Sequence, residues 1–187
     1  MAAGKKQILV CLDSDPQPSV FDSVAAVDAG VDHLFRHGGV SAENVRDLVY
    51  GAIFTRGPDD LKHTAIFIGG SDVSAGEALL AKVQKTFFGP MRVSVMLDSN
   101  GANTTAAAAV LAVGRQLSLR GRKATVLAAT GPVGSRVARL LAEEGAAVTV
   151  TSRKQADAEA VCDSIRTRMP DAELGSATTG DGAAIEG

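Results

Sequence analysis

The stretch Ala124–Arg139, ATVLAATGPVGSRVAR, places an apolar run, a glycine loop and a helix-forming segment in direct succession. Within it, Ala129-Thr130-Gly131-Pro132-Val133-Gly134 follows the G-x-G-x-x-G pattern, with alanine in place of the first glycine. In a strand–turn–helix context such a loop holds a pyrophosphate, because the helix start offers unpaired N–H groups and the positive end of its dipole. Gly131 lets the backbone approach the phosphates, Gly134 lets helix and strand pack closely, and Pro132 suits a first helical turn. The alternative use is a plain structural turn of a parallel sheet. The next apolar run, Ala147–Thr151, leads into Thr151-Ser152-Arg153-Lys154. An NAD site would place a carboxylate here, about 20 residues on, to bind the ribose 2′-hydroxyl. Two hydroxyls and two cations suit a 2′-phosphate instead, through charge-assisted hydrogen bonds. The pattern therefore predicts NADP, with Thr130, Gly131, Pro132, Val133, Gly134, Ser152, Arg153 and Lys154 as its contacts; a solvated basic helix start is the alternative for the last three.

Three further segments end a strand in polar and glycine residues: Leu12–Asp22 (LDSDPQPSVFD), Thr64–Glu77 (TAIFIGGSDVSAGE) and Arg92–Ala107 (RVSVMLDSNGANTTAA). Ligands of open parallel sheets sit at the carboxyl ends of strands, so these loops are expected to share one cleft. The plainer uses are helix capping by Asp98, Ser99, Asn100 and Asn103, and a core position for Phe21. His33 and His37 are spaced for one helical face, but no third ligand accompanies them and no metal site is expected. Cys11 and Cys162 stand far apart and fit reduced, buried thiols.

These residues need a scaffold of alternating strands and helices, and the chain has that rhythm, which predicts an α/β fold with mainly parallel sheets. Strands are expected at Gln7–Leu12, Ala65–Ile68, Arg92–Leu97, Ala124–Ala129 and Ala147–Thr151. Helices are expected at Ser19–Ala29, from Ser41 to about Gly51, Asp72–Phe87, Asn103–Leu117, Pro132–Glu144 and Gln155–Arg168. The polar, basic stretch Ser118–Lys123 marks a boundary between a first domain, 1–120, and a second beginning at 121 and running to 170. Residues 171–187, rich in Gly, Ala, Ser and Thr and holding four acids without Lys or Arg, read as a loop or disordered tail.

Composition narrows the partners. Of 187 residues, 45% are hydrophobic and 21% charged, with a formal net charge of −2, so no basic footprint for nucleic acid exists. All seven aromatics lie at or before Phe88, which excludes a base-stacking platform in the second half. No apolar run nears the ~18 residues of a membrane span, and the start lacks a signal-peptide pattern. A cytoplasmic location is expected.

The glycine loop AATGPVG, TSRK and the segments LDSDPQPSVFD, TAIFIGGSDVSAGE and MLDSNGANTTAAA together resemble the NADP-dependent methylenetetrahydromethanopterin dehydrogenases of methylotrophic bacteria, some of which also use methylenetetrahydrofolate. The resemblance runs from about Gln7 to Arg168. It implies an N-terminal pterin-binding α/β domain followed by the first half of a Rossmann domain, an active site in the cleft between them, and a homo-oligomer, with trimers the expected form. Pro18, Ser19, Phe21 and Asp22 match the family's first loop. Asp98, Asn100, Asn103, Thr104 and Thr105 match the segment that lies beside both ligands. Asp22 and Asp98 are the implied stabilisers of charge in a hydride transfer from the pterin's methylene bridge to NADP. The Lys and Tyr of the related dehydrogenase/cyclohydrolases have no counterpart around Tyr50, so cyclohydrolase activity is not expected.

A full dinucleotide fold has about six parallel strands. Only two are evident after Lys123, so the chain is expected to be a fragment or an incomplete gene product. The alternatives to an active enzyme are a non-catalytic or truncated binder of NADP or pterin, and another NADP-linked dehydrogenase of related architecture.

Overall fold

The computed structural model describes residues 4–179, which fall into two compact units divided between Asn100 and Gly101. In the first, β1 (Ile8–Asp13), β2 (His33–His37), β3 (Thr64–Gly69) and β4 (Ser94–Leu97) form one parallel sheet in the order β2-β1-β3-β4. The helices between them are α1 (Val20–Asp28), α2 (Arg46–Phe54) and α3 (Val73–Thr86). Strand alternation turns Val10, Leu12, Ile66 and Ile68 to one face, where they meet Val49 and Ile53 of α2 and Leu79 and Val83 of α3. Both inner strands are flanked by neighbours, which is why their sequences read as continuous apolar runs. The stripe Val20, Val24 and Val27 of α1 stays exposed; Ala26 is the buried residue of that helix.

The second unit holds α4 (Ala102–Gly114), β5 (Lys123–Val126), α5 (Pro132–Glu143), β6 (Ala147–Ser152), α6 (Gln155–Arg168) and β7 (Leu174–Thr178). Its three strands are parallel in the order β5-β6-β7. Val126, Ala138, Leu141, Val148, Val150, Cys162 and Ile165 make its core, joined by Val110 of α4.

Four expectations are corrected. His33 and His37 lie on an edge strand, not a helix: β2 pairs with β1 alone, Ile8 opposite His33 and Leu12 opposite His37, and an edge strand tolerates a polar composition that hides its pattern. Ser41 does not cap α2; its carbonyl closes the turn to Asn44 and Val45, and the helix starts at Arg46 and runs on to Phe54. The boundary near 118–123 is displaced, because α4 buries Ala102, Ala106 and Val110 and packs on α5, which draws it into the second unit. Part of the supposed tail is β7, with Val148 opposite Leu174 and Ser152 opposite Thr178; the Cys162 thiol sits 3.4 Å from the Gly175 carbonyl. Residues 180–187 of that tail lie outside the described residues.

Candidate functional site

In the first unit the carboxyl ends of β1, β3 and β4 are tied together by hydrogen bonds. Asp13 ends β1 and is 3% exposed. Its Oδ1 accepts the Asp15 N–H at 2.8 Å and its Oδ2 accepts the Ser19 N–H at 3.1 Å. Two accepted N–H bonds compensate a buried carboxylate for lost water. Ser19 then caps α1, its hydroxyl oxygen accepting the Asp22 N–H at 3.2 Å. Beyond β4 the Asp98 N–H reaches the Ile68 carbonyl, the buried Ser99 hydroxyl donates to the Gly69 carbonyl at 2.9 Å, and the Asn100 N–H donates to the Gly70 carbonyl at 2.8 Å.

Asp22 comes close to the end of β3, where a Cβ on Gly69 would lie 3.1 Å from its Oδ2 and 3.5 Å from Oδ2 of Asp13. Burial pushes the Asp22 carboxyl above the usual range, a hydrogen bond from Ser19 pulls it back, and the Asp13 and Asp98 charges push it up again. Pro18, Ser19 and Asp22 border a cavity of about 10 Å³ with Cys11 and Asp13, room for about one water. Burial, then the Asp22 charge, push the Cys11 thiol up to about 11. Phe21 is 82% exposed, so it is not a core residue.

Pro18, Ser19, Phe21, Asp22, Asp98 and Asn100 thus gather at one end of the first sheet. Asn103, Thr104 and Thr105 do not belong to that unit. They lie on α4, where Asn103 Oδ1 accepts from Arg136 Nε at 2.5 Å and the Thr104 hydroxyl faces the Gly101 carbonyl at 3.4 Å. The N-cap of α4 is Gly101, without a side-chain bond, and Asn100 and Gly101 both take left-handed backbone, φ 54° and 60°.

In the second unit β5, the glycine loop and α5 follow in the expected order. Gly131 is the N-cap of α5 and Pro132 its first residue, so Val133 and Gly134 present first-turn N–H groups at the mouth of the loop. A Cβ at Gly134 would lie 2.7 Å from the Ala128 carbonyl oxygen and 2.9 Å from Ala129 Cα, so α5 approaches the loop as only glycine permits. At Gly131 the nearest atom would be 3.6 Å away, which leaves its outer side open. Ala129, in the place of the first glycine, is fully buried and donates its N–H to the Thr151 carbonyl at 3.0 Å. Thr130 is exposed. At the end of β6, Arg153 and Lys154 are exposed, whereas Ser152 is 6% exposed and its hydroxyl oxygen receives the Lys154 N–H at 3.4 Å. The Thr151 hydroxyl is likewise turned inward, donating to the Val126 carbonyl at 2.9 Å. The Thr151 hydroxyl therefore ties β6 to β5 and the Ser152 hydroxyl holds the turn after β6, while Arg153 and Lys154 face solvent.

Several participants had no visible signal. Asp15 and Ser71 bond each other across 56 residues and Arg136 acts through α4, so none has a local motif, whereas the Asp13 carboxylate bonds only within the loop after its own strand. Among the described residues no group of three or more His, Cys, Asp or Glu could hold a metal ion.

Comparison with known proteins adds a lineage. The profile described as methylene-tetrahydromethanopterin dehydrogenase, N-terminal, matches residues 20–100. A Methylorubrum extorquens protein named bifunctional protein MdtA is 49% identical over 166 residues, 88% of this chain and 58% of that protein. A second from the same organism, named NAD(P)-dependent methylenetetrahydromethanopterin dehydrogenase, is 33% identical over 147 residues, 75% of this chain and 50% of that protein. The chain thus spans little more than half the length of the curated relatives it matches. Residues 20–100 thus match the N-terminal domain of the methylenetetrahydromethanopterin dehydrogenases, and the chain is similar to both relatives over most of its own length.

Proposed function

We propose that this chain binds a reduced pterin on its first unit and NADP on its second, and that the reaction it serves removes hydride from the methylene bridge of methylenetetrahydromethanopterin or methylenetetrahydrofolate. The observation that carries this reading is the glycine loop. Gly134 is packed so tightly that a Cβ would meet the Ala128 carbonyl, while Gly131 is open outward. A loop shaped only to turn the chain needs the first property but not the second. The sheet order supports the same reading, since β7-β6-β5 runs as the 3-2-1 half of a doubly wound nucleotide-binding sheet.

The residues fit the dinucleotide. Val133 and Gly134 N–H groups would meet the pyrophosphate, and Arg153 and Lys154 would meet a 2′-phosphate, which favours NADP over NAD. When bound, the nicotinamide supplies the hydride acceptor. Loss of hydride leaves a methenyl cation shared between two pterin nitrogens, so the chain needs no general acid or base for this step. Its task is to hold the donor carbon in place and to favour the developing positive charge. Asp22 and Asp98 are the proposed carboxylates for that charge, with Pro18, Ser19, Phe21 and Asn100 around the pterin. Asn103, Thr104 and Thr105 are proposed beside the ligands from α4.

We place the protein in the cytoplasm as a homo-oligomer, a trimer by its resemblance. No helix among the described residues is long and apolar enough to cross a membrane. The exposed stripe Val20, Val24 and Val27 supports association. Titration of the chain with NADPH and NADH, followed by coenzyme fluorescence, tests the cofactor assignment. NADPH is expected to bind more tightly, and Arg153→Ala to remove that preference. Equal affinity for both coenzymes, unchanged in Arg153→Ala, would overturn it.

A further inference from the structure

We infer that Asp15 is a positioning residue for the pterin: it bolts the loop carrying Ser19, Phe21 and Asp22 to the loops that come after β2 and β3. The inference rests on the pterin reading and deepens it.

Immediately after β1, residues 14–19 read Ser-Asp-Pro-Gln-Pro-Ser, and two prolines remove two backbone donors that would otherwise be free to anchor the turn. Asp15 supplies the anchoring through four bonds. Its N–H donates to Asp13 Oδ1 at 2.8 Å. Its carbonyl accepts the Gly39 N–H at 2.7 Å, from the segment after β2. Its carboxylate accepts the Ser71 N–H at 3.0 Å and the Ser71 hydroxyl at 2.9 Å, from the segment after β3.

The neighbours are shaped to let this happen. Gly70 takes φ +98°, and a Cβ there would fall 2.1 Å from the Ser14 hydroxyl oxygen. The Gly70 carbonyl in turn receives the Asn100 N–H, so the clamp extends to the segment after β4. Asp15 therefore joins the segments after β1, β2 and β3 directly, and the Asn100–Gly70 bond adds the segment after β4 to the same frame. On that frame the ring of Phe21 is exposed to solvent, two residues after the Ser19 cap. A flat ligand that meets an aromatic side chain gains most when the chain carrying it is already ordered, because less freedom is lost on binding.

The test compares wild type, Asp15→Ala, Asp15→Asn and Ser71→Ala for affinity to tetrahydromethanopterin by calorimetry, with NADPH affinity and thermal midpoint measured on each. Asp15→Ala is expected to weaken the pterin about tenfold and leave NADPH within about twofold. Asparagine keeps an oxygen for the Ser71 N–H and a donor for its hydroxyl, so Asp15→Asn should regain most of the loss. Ser71→Ala, which keeps the backbone bond, should fall between; it also serves where Asp15→Ala does not fold. Unchanged pterin affinity in Asp15→Ala and Ser71→Ala overturns the inference. So does a parallel loss of both ligands with the thermal midpoint, the mark of a merely structural role. A wild-type chain that binds NADPH but no pterin would instead overturn the pterin reading itself, and this inference with it.

Discussion

Replacing each glycine of the phosphate loop by alanine separates packing from ligand approach. At Gly134 the new methyl would sit 2.7 Å from the Ala128 oxygen and 2.9 Å from Ala129 Cα, both backbone atoms and both well inside ordinary contact at 3.4–4 Å. Neither can swing aside as a side chain would, so α5 must shift away from β5. Overpacking of this kind costs about 1–3 kcal/mol. The better helix propensity of alanine returns up to about 1 kcal/mol. The net loss is about 1–2 kcal/mol, a fall in Tm of several degrees. At Gly131 the methyl would meet nothing closer than 3.6 Å, and its φ of −75° is ordinary for alanine. Alanine is a poorer N-cap by up to about 1 kcal/mol, but it restricts the unfolded chain by about 0.4–1 kcal/mol, so stability should change by less than about 0.5 kcal/mol. The added methyl instead occupies the approach of the pyrophosphate, and NADPH affinity should drop at least tenfold, about 1.4 kcal/mol. Urea unfolding and coenzyme titration of both variants provide the assay. Gly131→Ala that binds NADPH as wild type does would refute the assignment of that glycine to the coenzyme. Gly134→Ala with unaltered stability would refute the packing assignment.

Other outcomes rest on single residues. Ala128 holds φ +51°, a left-handed conformation that costs a residue with a Cβ about 1–2 kcal/mol, so Ala128→Gly should raise stability in urea unfolding by about 0.5–1 kcal/mol after the entropy of glycine is subtracted. The Asp22 carboxyl is raised by burial, so its favourable contribution is complete below the ordinary value of 3.8 and is lost as pH climbs through its raised native value. Asp22→Asn should therefore have a higher Tm than wild type at pH 7, and the two should converge in acid; a difference independent of pH would contradict this. Cys11, pushed up to about 11 by burial, and the buried Cys162, raised by the same cause, should resist alkylation at pH 8 until the chain is unfolded. Mass spectrometry of the native and urea-treated protein reads this directly.

What the amino-acid order disclosed depends on where an element sits. β1 and β3 are flanked on both sides and announce themselves as QILVCL and AIFI. α6 begins at Gln155 and stops at Arg168 just before Pro170, and α3 begins behind the Asp72 cap, because both ends obey local rules. β2 and β7 are edge strands with little to bury, and their compositions, HLFRH and LGSAT, carry no alternation strong enough to read. The glycine loop was legible because its residue types answer to backbone geometry within six positions. The hub at Asp15 was not, since Gly39 and Ser71 reach it across 24 and 56 residues and only folding brings them together. The same holds for Asn103. Its place in the sequence next to Asp98 and Asn100 suggested one loop, but packing of α4 on α5 assigns it to the second unit.

Hydride transfer from a pterin's methylene bridge is the reaction proposed for this chain, and it is tested most directly with that carbon deuterated. The chain is incubated with NADP⁺ and dideuterated methylenetetrahydromethanopterin, and the coenzyme is recovered for mass spectrometry. One deuterium atom in the NADPH formed is the predicted result. Binding of both ligands without any deuterated NADPH would contradict it and would leave a binding module in place of a dehydrogenase.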